Sequence, residues 1–322
     1  MTIHKHRLAA MAAAVMLMAP AAHAQELSIA TGGTGGVYFP IGGGIAELIN
    51  RHVEGHTASA EVTGASVENV ALIARDQSDI AFSLADTAYQ AYRGEGDFEG
   101  RALTNLRALG AVYPNVVQLV TLADSGITSL EDLRGQRISV GAPGSGTEIS
   151  ARQILEANGI SYDDLSAERL NFNETADALR DGDIIAGFWS VGPPTSSIMN
   201  LAATRQIAFV PMTEDQIAAA LEVEPTFATY TLPADTYDGV TEDVATIATP
   251  NLLLVSADMD DELAYQLVQT IYDNVDYLIS THPAAVDMTI DFSVAATPIP
   301  FHPGALRYLE EQGAEIRDDQ RP

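Results

Sequence analysis

The chain has 322 residues, no cysteine, and 44 Asp plus Glu against 16 Lys plus Arg, a formal charge of −28. So acidic a chain is a poor binder of phosphate backbones, which demand clustered cations. The missing cysteine closes disulfides, thiolate chemistry, Cys-ligated zinc and lipid attachment at a cysteine. The apolar share of 47% belongs to a globular chain, and the length favours two domains.

Residues 1–24 read as a secretory signal peptide. Lys5 and Arg7 form the positive region, Leu8 to Ala19 the apolar run, and Ala22-His23-Ala24 the cleavage site. The run is too short for the ~20 residues a membrane span needs. Cleavage before Gln25 is expected, with the periplasm as destination. Loss of Lys5 and Arg7 takes the charge from −28 to −30 and removes the only lysine. That surface fits halophilic adaptation to saline surroundings, because salt screens self-repulsion, or plain drift in composition. A melting temperature that is the same in low and molar NaCl would remove the saline reading.

The exported part repeats strand, small-residue turn and helix, an α/β pattern. Leu27 to Ala30 reads as a strand running into Thr31-Gly32-Gly33-Thr34-Gly35-Gly36. Pro40 then sits near a helix start, and Ile41, Ile45, Leu48 and Ile49 mark one face. A second strand around Ala60 to Val62 ends in Thr63-Gly64-Ala65, and Ser66 is placed as the cap of a helix carrying Val67, Val70 and Ile73. Ile80 to Leu84 is a third, buried strand. Asn115 to Leu122 leads away as a strand. Ile138 to Val140 enters Gly141-Ala142-Pro143-Gly144-Ser145-Gly146-Thr147, followed by a helix that Gly159 terminates. Ile184 to Trp189 and Leu252 to Val255 are further buried strands. Asp260 and Asp261 open one long helix, apolar at 263, 267, 268, 271, 275, 278 and 279.

Three helix N-termini thus follow small-residue turns at strand ends. Ligands of open α/β sheets sit outside the carboxyl ends of strands, and helix starts bind anions through unpaired N–H groups. Such termini facing a cleft would hold an anion without a cationic side chain.

Catalytic signatures are incomplete. Gly33-x-Gly35 has Tyr38 where a dinucleotide fingerprint needs its third glycine, and Gly141 to Thr147 lacks the lysine of a phosphate loop. Pro143 stands where a nucleophile elbow wants glycine. His52 and His56 are four apart, but Glu54 is misplaced for a zinc protease, and no metal is expected. His282 and His302 precede proline and read as turn residues. Without a lysine after cleavage there is no Schiff-base chemistry.

Five segments in order resemble the solute-binding subunits of TAXI-type TRAP transporters. They are Gly33 to Gly42; Ala65-Ser66-Val67-Glu68-Asn69; Ser125-Gly126-Ile127 with Asp132-Leu133-Arg134-Gly135; Val140 to Thr147; and Ile299 to Ala305. The resemblance implies a type II periplasmic-binding-protein fold, two α/β lobes joined by a hinge with a ligand cleft between them. Crossings near Tyr113 to Leu122 and Leu252 to Ala257 would give lobe one as residues 25–117 plus 257–322 and lobe two as 118–256. It implies a binding protein rather than an enzyme, with no cofactor. The monomer would capture a small carboxylate such as glutamate, 2-oxoglutarate or a similar dicarboxylate. Lobe closure would precede delivery to membrane permease subunits driven by an ion gradient. An ABC-type binding protein, or an exported enzyme on the same fold, is the alternative.

Carried over by position, the ligand shell draws on Thr34, Val37, Tyr38, Ser66 and Asn69, and on Ser145, Gly146 and Thr147 from the other lobe. Trp189 either walls the cleft or belongs to the core. Thr34 and Ser66 could instead serve turns or caps, and Tyr38 the core. Many family members carry Gln-Ser before the third-strand Asp, where this chain has Leu84-Ala85-Asp86. Asp86 would repel a dicarboxylate unless the ligand bears an ammonium or Asp86 serves its own helix. Arg93 and Arg152 are candidate cations beside the cleft.

Overall fold

The structure, a computed structural model, describes residues 25–322; the expected signal peptide lies outside the described residues. In chain order it begins β1 (Gln25–Ala30), α1 (Tyr38–His52), β2 (His56–Glu61), α2 (Ser66–Ala74), β3 (Ile80–Leu84) and α3 (Ala85–Arg93). The long strand β4 (Leu106–Leu122) leads to β5 (Arg137–Ser139), α4 (Gly146–Ala157), β6 (Ser166–Glu168), α5 (Phe172–Asp181), β7 (Ala186–Val191), α6 (Ser196–Ala202), β8 (Ile207–Phe209) and α7 (Glu214–Val223). Then come β9 (Ala228–Leu232), a second long strand β10 (Val244–Ser256), α8 (Asp261–Asp273), α9 (Val275–Thr281), α10 (Ile290–Ala296) and α11 (Pro303–Glu311).

The strands hydrogen-bond in the order β2-β1-β3-β10-β4-β7-β5-β6, with β8 on β4 and β9 on β10. β1, β2 and β3 are parallel and carry α1, α2 and α3, with α8 to α11 returning to the same half. β5, β6 and β7 are parallel and carry α4 and α5 in the other half. Only β4 and β10 belong to both. β4 pairs with β10 as far as Val116 and with β7 from Val116 onward. β10 pairs with β9 through Ala248 and with β3 from Asn251. The short parallel strands need covering on both faces, which is why β3 and β7 are buried along their whole length. Apolar side chains gather in two clusters; the smaller joins Val117, Ile138, Ile154, Phe188 and Ile217 in the second half.

Local chemistry accounts for most element ends. The side chains of Asn171, Thr213 and Asp260 accept first-turn amides of α5, α7 and α8, and Glu174 and Gln216 complete two capping boxes. His282 and His302 cap the Pro-led turns that follow them by accepting from Ala284 and Gly304, and burial lowers the pKa of both rings, which favours the neutral acceptor form. His52 ends α1 whereas His56 begins β2, so the pair does not share a helix.

Two expectations fail. The helix predicted through position 279 is two helices, broken at Asn274, whose side-chain amide donates to the Thr270 carbonyl at 2.8 Å. Periodicity continues across the break because both helices bury the same side. Nor is Ser66 a cap. Ala65 holds the N-cap position at φ 76°, and the Ser66 hydroxyl accepts the Leu84 amide at 3.1 Å, joining α2 to the end of β3. Among the described residues no helix is long and apolar enough to cross a membrane.

Candidate ligand-binding cleft

A cavity of about 500 Å³ lies between the two halves. Its walls are the loops at the carboxyl ends of β1, β2, β5 and β6, and its floor includes Leu84, Asn115, Ser190 and Val191. This is the position where open α/β sheets hold ligands.

Val37, Tyr38, Ser66, Ser145, Gly146 and Thr147 line this cavity. The starts of α1, α2 and α4 therefore converge, but they are not equivalent. The second and third amides of α2, at Val67 and Glu68, donate to the Gly144 carbonyl across the cleft at 3.1 and 3.3 Å. That terminus is filled by protein. On α4 the Ser145 hydroxyl accepts the Glu148 amide and donates to the Ala142 carbonyl, so Ser145 acts as a cap. The start of α1 has no side-chain cap. The hydroxyls of Thr147 and Ser190 make no hydrogen bond among the described residues, and both residues are on the cavity wall. Of the three starts, that of α1, and that of α4 ahead of the capped Glu148 amide, keep amides with no partner among the described residues.

Tyr38 contributes wall and hydroxyl together. Its ring stacks on Phe82 with centroids 4.9 Å apart, and its hydroxyl donates to Asn251 Oδ1 at 2.5 Å. Asn251 in turn donates to the Tyr113 carbonyl, which ties α1 to both long strands. Burial drives the Tyr38 pKa upward, so the phenol stays neutral.

Three expected residues lie off the cavity wall. Thr34 is exposed at the rim, 3.5 Å from the Asn173 amide. Asn69 is fully buried; its amide donates to the carbonyls of Ala30, Thr31 and Phe82, and its oxygen accepts from Thr63. With every polar atom engaged, it holds β1 and β3 together behind the wall. Trp189 is fully buried, donates to Ser197, and stacks on Phe172 at 6.0 Å. Phe172 reaches the cavity and Trp189 forms the layer behind it.

Asp86 is also off the wall. One carboxyl oxygen accepts the Thr87 amide and hydroxyl, and the other accepts the Ser150 hydroxyl at 2.9 Å. Of the two expected cations, Arg93 pairs with Glu95 and Arg152 with Asp97, and neither lines the cavity.

The cation that does line it is Arg169, at the end of β6. Glu148 pairs with it at 2.6 Å and the Tyr162 ring lies 5.8 Å from its guanidinium carbon. Asn171, Phe172 and Glu174 follow on the same wall. Sequence reasoning missed this segment, although Asn171-x-x-Glu174 is a capping-box signature. The Glu174 carboxylate is held by the Asn171 amide at 2.9 Å. Gly35 allows the approach, since a Cβ there would lie 2.4 Å from Asn173 Oδ1. Because Asn171 accepts two α5 amides, Asn171→Ala is expected to cost about 1 kcal/mol, read by urea denaturation. An unchanged midpoint would contradict that capping role.

A model of the NMT1-like family matches residues 29–313. The chain belongs to the NMT1-like family. Solved structures share its architecture at low identity. A Bordetella bronchiseptica RB50 protein is 17% identical with TM-score 0.54, covering 91% of this chain and 90% of the other. A putative L-cystine ABC transporter protein from Listeria monocytogenes is 14% identical with TM-score 0.50, covering 80% and 94%. The ligand-binding component of an ABC-type import system from Staphylococcus aureus is 12% identical with TM-score 0.50, covering 92% and 96%. This NMT1-like chain therefore has the α/β periplasmic-binding-protein-like fold of ABC substrate-binding proteins.

Proposed function

We propose that the chain is a periplasmic solute-binding protein of a TAXI-type TRAP transporter, taking a small organic anion between two closing lobes. The lobes are residues 25–117 plus 257–322 and 118–256, hinged where β4 and β10 pass from one half of the sheet to the other. The observation that carries the anion reading is the cavity lining. It combines the uncapped start of α1 and the first amides of α4 with the one cation on the wall among the described residues, Arg169 paired to Glu148, while the acidic Glu174 is occupied by its own helix. Val37, Tyr38, Ser66, Ser145, Gly146 and Thr147 supply the remaining wall. Glutamate, 2-oxoglutarate and related dicarboxylates are the ligands to try first, and no catalysis is proposed.

A thermal-shift screen of glutamate, glutamine, 2-oxoglutarate, succinate and malate tests the reading. A ligand at 100 times its Kd stabilises by ~2.7 kcal/mol, enough to raise Tm visibly. Arg169→Gln should weaken a carboxylate hit about tenfold, since charge-assisted bonds contribute roughly 1.5–3 kcal/mol. A response only to neutral or cationic solutes would sink the anion reading. The ABC alternative predicts uptake with an ATPase subunit; the TRAP reading predicts uptake in vesicles carrying an ion gradient and no ATP.

A further inference from the structure

The face where the two halves meet beside the cavity holds two acids and no partner cation for either. Asp86 and Gln90 are one turn apart on α3, and Ser150 and Gln153 are one turn apart on α4. Ser150 donates to Asp86 at 2.9 Å. Gln90 and Gln153, from opposite halves, both donate to one oxygen of Glu224 at 3.2 and 3.0 Å. Glu224 follows α7, and its other oxygen accepts the Thr226 amide and hydroxyl. Both carboxyls are buried, Asp86 at 0% exposure and Glu224 at 3%, and neither is in an ion pair among the described residues.

Among the described residues, the surroundings supply no compensating charge. β3 and β10, which pack on α3, bring no ionisable side chain. Tyr38 of α1 is neutral, and Glu68 of α2 is turned to the exposed Gly64 amide. The nearest ion pair, Arg152 with Asp97, is complete in itself. Parting the halves would return water to Asp86 and separate it from Glu224.

We propose that Asp86 and Glu224 form a proton-linked latch: closure of the two halves takes up a proton at Asp86, so the closed form is favoured at lower pH. The inference rests on the two-lobe reading of the cleft.

Glu224 accepts four donated hydrogen bonds, while Asp86 accepts three. Burial first, and then the Glu224 charge, push the Asp86 pKa up to about 7 in the closed form. In a solvated open form its value returns toward ~4. A carboxyl whose pKa rises on closure binds a proton as the halves meet. The stabilisation is complete below the open-form value and is lost as pH rises through the closed-form value. Between pH 6 and pH 8 the closed-to-open ratio should fall about tenfold.

The cysteine-free chain makes the measurement direct. Spin labels on Gln77→Cys and Asp177→Cys, exposed and on opposite halves, report the inter-half distance without any ligand. The expected result is a shift toward the longer-distance population between pH 6 and pH 8 in the labelled protein with Asp86 intact. Asp86→Asn, which keeps the shape of the protonated acid, should abolish the shift and stay closed at pH 8. Should that variant not fold, Glu224→Gln provides the second arm: with the like charge gone, the transition should move to lower pH. A distribution unchanged between pH 6 and pH 8, or the same pH dependence in Asp86→Asn, would overturn the latch. A blank carboxylate screen beside an intact pH shift would overturn the ligand reading and leave the latch standing.

Discussion

Replacing Asn69 with alanine is expected to lower Tm by on the order of 3–8 °C. The side chain is fully buried, and its single amide serves the carbonyls of Ala30, Thr31 and Phe82 while its oxygen takes the Thr63 hydroxyl. Alanine removes the donor and leaves carbonyls at the ends of β1 and β3 with no water to replace it. Losing buried partners costs ~1–3 kcal/mol per stranded group, and roughly 2–4 kcal/mol here. At about 2.1 cal/mol/K of unfolding entropy per residue, a chain of this size moves in Tm by roughly 1.5–2 °C per kcal/mol. Circular dichroism melting reads the effect. Thr63→Ala, which removes one partner only, should cost less. If Asn69→Ala left Tm unchanged and abolished ligand binding, Asn69 would belong to the ligand shell after all.

Gly146→Val should leave each half folded and weaken ligand binding ten- to hundredfold. Gly146 is the first residue of α4, and a Cβ placed there lies 2.6 Å from Leu84 Cδ1 and 2.7 Å from Ser66 Oγ. Both atoms belong to the opposite half. The nearest obstacles to the branched side chain therefore lie across the interface and are met as the halves come together. Overpacking of this kind costs ~1–3 kcal/mol, which equals one to two decades of affinity. Calorimetric titration with the carboxylate found in the screen provides the number. Affinity equal to that of the unmodified chain would show that the halves need not approach this closely to bind.

How much of this was legible beforehand differs from element to element. The buried run Ile80 to Leu84 is β3 residue for residue, because continuous burial leaves an unbroken apolar word in the sequence. The starts of α1, α2 and α4 were located by their small-residue turns. The sequence pattern puts β2 too late, since His56 to Glu61 contains almost no apolar signal and is held by pairing with β1. The sequence pattern shows β4 from Asn115 only; its first half carries an irregularity between Ala108 and Gly110 and pairs with β10, more than a hundred residues away. The segment Arg169 to Glu174 was missed because its helix buries few large side chains and its local pattern is polar.

The cleft divides in the same manner. Val37, Tyr38, Ser66 and Ser145 to Thr147 could be named from their turns. Asn69 could be named too, but its task could not, because the three carbonyls it serves belong to strands brought together by folding. Asp86 shows the limit most clearly. Its residue type was readable, while its environment is made by Ser150 and Glu224, 64 and 138 positions further along the chain.

By itself the sequence determined composition, the α/β rhythm, and the turns that open three helices, since each depends on neighbours within a few residues. Tertiary structure alone decided which helix starts keep unpartnered amides, that Arg169 is the cation on the cavity wall, and that two acids meet without a counter-charge among the described residues. Those depend on contacts between segments far apart in the chain, where desolvation and geometry act on side chains that local pattern cannot pair.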